Sequence, residues 1–99
     1  MAQLDVYRNR SSQIPYLLDV QADLLDYLET RVVVPLRREG SMVRGTRLNP
    51  IFTVEEVRVV MATAEIAAIR LASLGERVTS LAGHRDDIIN ALDILWTGV

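Results

Sequence analysis

The residues from Asp86 to Val99 constrain the fold more than any other part of the chain, because they carry the pattern of a single amphipathic helix. Ile88, Leu92 and Leu95 recur at helical spacing and give one broad apolar face. Gly98 stands where a glycine ends a helix by adopting a positive φ. The pattern therefore predicts a helix over residues 86–99 that closes on Gly98.

The same tail carries a large aromatic residue, and this opens two interpretations. Chain ends are usually polar and frayed, whereas this one ends on Trp96, Thr97, Gly98 and Val99. In the first interpretation Trp96 belongs to a core helix that Gly98 caps, and Val99 folds back on Ile94. In the second, the tail is a contact surface for another protein. Helical periodicity favours the first, and the residues alone leave the second open.

Length and cysteine content limit the classes of protein to consider. The chain has 99 residues and no cysteine. We therefore expect one small domain over residues 1–99 with a single modest core. Disulfides, thiolate metal sites and cysteine nucleophiles are excluded, which favours a cytoplasmic location. The sequence has no basic segment followed by an apolar run at its start and no apolar stretch of membrane-spanning length, so we expect neither a signal peptide nor a membrane partner.

The first part of the chain predicts β-strands. Residues Leu4–Arg8 and Tyr16–Val20 read as short strands, and the turn-prone Asn9–Ser12 between them indicates a hairpin. The β-branched run within Arg31–Leu36 predicts a buried strand that ends at Pro35, where no amide hydrogen is needed.

The middle of the chain is ambiguous. Between Thr53 and Leu74 alanine and glutamate favour helix, although residues 57–61 alternate partly as a strand would. The residues alone therefore predict an α+β fold with strands first and a helix last.

Charge argues against nucleic acid as the main partner. The net charge is −2, and binding to phosphates needs a concentrated positive face. The local exception is the basic segment 37–47, which contains Arg37, Arg38, Arg44 and Arg47 beside glycines. This segment is interpreted either as a solvated, flexible loop or as a loop that contacts phosphate.

No catalytic or metal-binding pattern stands out. His84 is the only histidine, and we expect it at the surface, since acid–base catalysis needs a partner in a cleft. Asp19, Asp23 and Asp26 lack the spacing, the glycine and the closing glutamate of a calcium loop. We therefore expect no metal and no cofactor. Between these carboxylates, Leu24–Leu25 is interpreted either as core or as an exposed apolar contact.

Two blocks of the sequence together resemble a known family. Leu18–Asp26 followed by Arg31–Leu36, and the ending His84–Asp93 with the closing Gly98–Val99, are similar to the CcdB family of toxins from bacterial toxin–antitoxin modules. The similarity covers essentially the whole chain. It implies a mainly β fold with α: an SH3-like antiparallel barrel of the CcdB and MazF kind, with a small accessory sheet and one C-terminal α-helix. It also implies a homodimer and a middle segment that is mostly β.

The resemblance implies a function without catalysis. CcdB-type toxins bind the DNA gyrase A subunit and trap the enzyme on cleaved DNA, and a cognate CcdA-like antitoxin wraps the toxin and reverses this. The chain is then a toxin of a type II toxin–antitoxin system, not an enzyme, and reaches DNA only indirectly, through gyrase or the antitoxin complex. The implied gyrase-binding residues are Leu24, Leu25, Asn90, Asp93, Trp96, Gly98 and Val99.

One departure from the family pattern affects the tail. Well-known members carry tryptophan immediately before the final glycine, whereas here Thr97 fills that place and Trp96 lies one residue earlier. One position on a helix rotates a side chain by about 100°. Two orientations of Trp96 therefore remain open, toward the core and toward the partner.

Two other functions remain as alternatives. MazF-type ribonucleases share this barrel by resemblance, and in a ribonuclease toxin cleavage would depend on Arg31 or His84. The acidic balance and the lack of an acid–base pair argue against that activity. The other alternative is a non-toxic relative that binds an antitoxin and acts with it in transcriptional autoregulation. Overexpression separates this alternative from a poison, because only a poison arrests growth.

Overall fold

The computed structural model describes residues 2–40 and 47–98. Within these ranges the chain forms seven strands and one α-helix, together with short 3-10 turns. The elements are β1 (Asp5–Arg8), β2 (Tyr16–Asp19), β3 (Thr30–Arg38), β4 (Ile51–Val54), β5 (Val57–Met61), β6 (Ala67–Arg70), β7 (Arg77–Ser80) and α1 (Arg85–Thr97).

The long strand β3 organises the sheet. The strand order is β4-β5-β3-β2-β1-β7, with β6 as a branch on β3, and the pairs are antiparallel. One side of β3 pairs with β2. Its other side pairs first with β6 and then with β5. The mainly β antiparallel fold with one C-terminal helix, which the resemblance implied, is confirmed.

Helix propensity misled in the middle of the chain. Helix and strand both remained open between Thr53 and Leu74, and the structure has strands there: β5, β6 and the end of β4. Propensity is a weak preference that tertiary packing overrides. Pairing with β3 leaves Val59 and Met61 fully buried, and this burial outweighs the preference of the alanines and glutamates nearby.

The predicted end of β3 at Pro35 is also wrong, because the strand continues to Arg38. Pro35 lies where β3 changes partner from β6, which ends its pairing at Val33, to β5, which begins at Leu36. The Pro35 carbonyl accepts a hydrogen bond from the Ala62 amide on that side, 3.0 Å away. The carbonyl and nitrogen of one strand residue face the same side, so the missing N–H falls in the gap between the two partners.

The predicted hairpin is confirmed, because β1 and β2 pair directly. The predicted C-terminal helix is confirmed as α1, which begins one residue earlier than expected. Ile88, Ala91 and Leu92 of α1 are buried in the core with side chains from five of the strands and flanking residues. Burial of one such large aliphatic side chain contributes about 1.5–3 kcal/mol. In the described ranges, no helix has the length and apolar character to cross a membrane.

Candidate functional site

The residues implied for partner binding fall on two segments of the fold. Leu24 and Leu25 lie in a 3-10 turn within the connection from β2 to β3, here called the 20–29 loop. The others lie on the exposed face of α1 and its cap, here called the α1 face: Asn90, Asp93, Trp96 and Gly98. Val99 lies outside the described residues.

Exposed apolar side chains are concentrated on these two segments. Leu24 is 85% exposed, Tyr27 is 75% exposed and Trp96 is 59% exposed. Leu25 and Leu28 are exposed as well, and these five are the large exposed hydrophobic residues of the described chain. Exposed Leu24 and Leu25 exclude the core interpretation of that pair. Exposed apolar residues that lie next to one another often mark a site of interaction with another molecule.

Trp96 lies outside the core because the core ends before the last turn of the helix. Ile88, Leu92 and Trp96 follow one another at intervals of four and form one stripe. The first two are buried, whereas Trp96 is exposed. The interpretation of Trp96 as a core residue is therefore wrong, and the apolar stripe of α1 continues beyond the region that the sheet covers.

The end of α1 is closed as predicted. Gly98 adopts a left-handed conformation with φ of 78°, and its amide donates to the Ile94 carbonyl at 2.9 Å. The Thr97 hydroxyl donates to the Asp93 carbonyl at 2.5 Å. Local bonds therefore set the shape of the end of α1, where Asp93 lies three residues from both Asn90 and Trp96 and so is a neighbour of each on the helix surface.

A buried glutamine holds the 20–29 loop. The Gln21 side chain donates from Nε2 to the Leu25 carbonyl at 2.9 Å and accepts at Oε1 from the Val32 amide at 3.0 Å. Its backbone amide donates to Oδ1 of Asp19 at 2.9 Å. Gln21 is buried, so these bonds lie where water competes little. They tie the turn that carries the leucines to the first residues of β3.

Arg31 and Asp19 complete this support. The Arg31 side chain is buried, and its Nη2 donates to the Asp26 carbonyl at 3.3 Å. Burial raises the pKa of the Asp19 carboxyl, and the hydrogen bond from the Gln21 amide and the charge of Arg31 oppose this rise. The exposed leucines thus rest on a buried polar layer.

This polar layer was not predicted from the sequence. Asp19 was weighed as a calcium ligand and Arg31 as a ribonuclease residue, and no role was expected for Gln21. The sequence feature that could have revealed the layer is Gln21, a polar residue that lies between the two apolar segments predicted as strands. Buried polar side chains must find hydrogen-bond partners, and the free backbone groups of an irregular loop are such partners.

Both segments are acidic as well as apolar. The 20–29 loop contains Asp23, Asp26 and Glu29 and no basic residue. Asp93 lies exposed on the α1 face beside Trp96. The local chemistry suits a partner surface that offers apolar pockets surrounded by basic groups.

The basic segment begins within the sheet. Arg37 and Arg38 belong to β3, so the expectation of a loop is wrong for these two residues. Arg37 pairs with both carboxylate oxygens of Glu65, at 2.9 and 3.2 Å. Arg44 lies outside the described residues. For the remainder of the segment, the two interpretations, a solvated loop and a loop that contacts phosphate, both stay open.

The single histidine is exposed, as expected. His84 lies in the 3-10 turn before α1, and its ring centroid is 5.0 Å from that of Phe52. Among the residues in the described ranges, His, Asp and Glu side chains form no group of three that could hold a metal ion.

Comparison with known proteins identifies related sequences and folds. A protein-family model described as CcdB protein matches residues 3–98. The solved structure of Mycobacterium tuberculosis toxin MazF-mt6 superposes with a TM-score of 0.74 at 14% identity, covering 95% of each chain. An endoribonuclease in complex with its cognate antitoxin, from mycobacterial species, gives 0.75 at 16% identity and covers 96% of this chain and 93% of that one. A crystal structure described as that of an Mtb toxin gives a TM-score of 0.74 at 14% identity and covers 92% of this chain and 99% of that one.

At these levels of identity the structural likeness establishes the fold and nothing finer. The family match rests on sequence and spans nearly the whole chain.

Proposed function

Because the chain belongs to the CcdB family, we propose that it is the toxin of a type II toxin–antitoxin system that binds the DNA gyrase A subunit and traps the gyrase–DNA cleavage complex. A cognate CcdA-like antitoxin neutralises it. The protein acts as a homodimer and performs no chemistry of its own. It reaches DNA only through gyrase or through the antitoxin complex.

One observation carries the proposal. The large exposed hydrophobic residues of the described chain lie on the 20–29 loop and the α1 face, the two segments that the family resemblance assigns to gyrase. Exposure of Leu24 and Trp96 has an unfavourable free energy in water, which a partner surface relieves on binding. The coincidence between residues implied by resemblance and residues left exposed by the fold supports a binding role.

The mode of action follows from symmetry and chemistry. A two-fold dimer presents two copies of the α1 face and of the loop to a partner with two-fold symmetry. Trp96 is the expected anchor, because aromatic residues at interface centres contribute a large share of binding energy. Asp23 and Asp93 then select basic groups at the rim of the partner site. If the toxin binds the cleaved state of gyrase more tightly than the uncleaved state, its binding shifts the enzyme toward the cleaved state and holds it there.

A plasmid cleavage assay tests this function. Purified protein is incubated with gyrase from its host, supercoiled plasmid and ATP, and the reaction is stopped with detergent and protease. We expect linear DNA that increases with protein concentration. Trp96→Ala should abolish linear DNA, whereas Thr53→Ala, an exposed change on β4, should not.

An antitoxin arm completes the experiment. Addition of the cognate antitoxin should suppress linear DNA and restore growth of cells that overexpress the protein. Folded protein that yields no linear DNA with host gyrase would overturn the proposal. Growth without arrest, combined with antitoxin binding, would indicate the non-toxic regulator instead.

A ribonuclease toxin is the second candidate, favoured by the fold neighbours described as an endoribonuclease and as MazF-mt6. The side chains first considered for it fit poorly. Arg31 is only 2% exposed, which keeps its guanidinium away from an RNA phosphate, and His84 packs against Phe52. Cleavage of cellular RNA by purified protein, with loss of cleavage in His84→Ala, would favour this candidate over gyrase binding.

A further inference from the structure

The N-terminal turn lies between the two segments of the candidate site. Gln3 donates from its backbone amide to Oδ1 of Asp23 at 2.6 Å and from Nε2 to the Val20 carbonyl at 3.1 Å. Its Oε1 accepts from Nη1 of Arg85 at 2.8 Å. Arg85 is the first residue of α1. A single glutamine therefore contacts the 20–29 loop through two groups and the α1 helix through a third.

The next residue repeats this connection through the backbone. The Leu4 amide donates to the Asp19 carbonyl at 2.7 Å, and the Leu4 carbonyl accepts from the Leu81 amide at 2.8 Å. Asp19 ends β2 immediately before the loop, and Leu81 precedes the turn that leads into α1. Both ends of the candidate site are thus attached to adjacent residues of one short turn.

The backbone of this turn is strained. Leu4 has φ of 72°, a left-handed conformation that side chains with a Cβ rarely adopt. Leu4 is only 1% exposed, so burial and its two backbone bonds hold it there. Strained backbone persists where the surrounding structure fixes it, and it is enriched at functional sites.

A binding surface built from two segments depends on their relative position. Two of the three hydrogen bonds of Gln3 are exposed and the third is partly buried, so each contributes little to stability. They contribute to affinity when they hold both segments in the bound arrangement before the partner arrives, since less ordering then remains to be done on binding.

We propose that Gln3 is a positioning residue that fixes the 20–29 loop relative to α1, through Asp23 and Val20 on one side and Arg85 on the other. The partner is the one that the two segments bind, so this inference rests on the proposed function. Gln3 need not touch that partner.

A double-mutant cycle tests the proposal. Gln3→Met removes both side-chain bonds and keeps the backbone donor, and Arg85→Met removes the bond from the helix side. Affinity for purified gyrase A subunit is measured by calorimetry and the melting temperature by scanning calorimetry. We expect each change to weaken binding about 3- to 10-fold, and the double variant to bind no more weakly than Gln3→Met.

Matched variants separate positioning from general damage. Gln13→Met makes the same chemical change at an exposed glutamine in the β1–β2 connection and should leave affinity unchanged. Arg85→Lys keeps a donor and should restore binding to within about twofold of the wild type. The melting temperatures of Gln3→Met and Gln13→Met should agree.

The outcomes distinguish this inference from the proposed function. If the wild type binds gyrase A and Gln3→Met binds equally well, or if the two changes add fully, the positioning role is overturned. If the wild type does not bind gyrase A, the proposed function is overturned instead, and amide NMR shifts then decide the positioning role. Gln3→Met should shift amides in both 22–26 and 85–89, whereas shifts in only one of these segments would overturn it.

Discussion

The 20–29 loop and α1 both present apolar residues to solvent, but different parts of the structure hold them in place. On α1, backbone bonds four residues apart and the cap at Gly98 position Trp96. In the loop, only a three-residue 3-10 turn is regular, and the buried side chains of Gln21 and Arg31 bind its backbone. Helix geometry is therefore local, whereas loop geometry depends on tertiary contacts. Substitution of the buried side chains that hold the loop should therefore lower stability more than substitution on the exposed surface of α1.

The largest expected effect is at the support of the loop. Gln21→Leu leaves the Val32 amide and the Leu25 carbonyl without their side-chain partner in a partly buried region. We expect the free energy of unfolding to fall by about 2–4 kcal/mol, measured by urea denaturation. Asn90→Leu, a matched change on the exposed α1 face, should alter it by less than about 0.5 kcal/mol. Equal effects would remove the distinction between the two regions.

The second expected effect is on binding at the helix. Trp96→Ala should weaken binding to gyrase A by about 2–3 kcal/mol, because an exposed indole that becomes buried contributes strongly at an interface. Stability should change by less than about 0.5 kcal/mol, since Trp96 is outside the core. Calorimetric titration and thermal unfolding of the same samples measure both quantities. A large loss of stability would instead indicate that the indole packs inside.

The cap of α1 should respond more weakly. Gly98→Ala places a Cβ at φ of 78°, where nothing crowds the new atom, so strain alone acts. We expect about 1 kcal/mol of destabilisation, measured by urea denaturation. Gly83→Ala is the control, because that glycine has neither a positive φ nor a close neighbour. Similar losses at both positions would contradict the capping role.

The smallest expected effect is a pH dependence specific to the loop support. The pKa of folded Asp19 is raised by burial, so ionisation is less favourable in the folded than in the unfolded chain. The Asp19 contribution to stability is therefore greatest at low pH and declines as pH rises from the ordinary value of 3.8 through the raised pKa. Relative to Asp19→Asn, the wild type should lose stability over that window in urea denaturation.

Glu55 provides a control of opposite sign. Hydrogen bonds from Arg8 and Tyr16 lower the pKa of the Glu55 carboxyl. Its contribution is present above the ordinary glutamate pKa and is lost as pH falls through the lowered value. Relative to Glu55→Gln, the wild type should therefore lose stability toward acid. The same sign for both residues would contradict the assignment at Asp19.

Much of the fold could be predicted from local patterns or from the resemblance. The helix and its glycine cap follow from spacing, and the β1–β2 hairpin follows from two apolar segments around a turn. The strands between Thr53 and Leu74 could not be predicted from propensity, because their stability comes from pairing with β3. The resemblance predicted them because a family pattern already includes such distant contacts.

The candidate site could be predicted in part. Leu24 and Trp96 were named from the sequence, but their exposure was open, because exposure depends on which distant residues cover a side chain. The roles of Gln21 and Gln3 were not predicted, since their partners lie up to 82 positions away in the chain.

The sequence by itself determined the features that arise between near neighbours: the period of α1, its stop at Gly98, the first hairpin and the absence of cysteine chemistry. Only the tertiary structure decided that β3 continues through Pro35, that the middle of the chain is sheet, and that Trp96 extends beyond the core. The physical reason is the separation along the sequence over which each interaction acts. Capping and periodicity act over three or four residues, whereas burial and strand pairing are set by residues that become neighbours only when the chain folds.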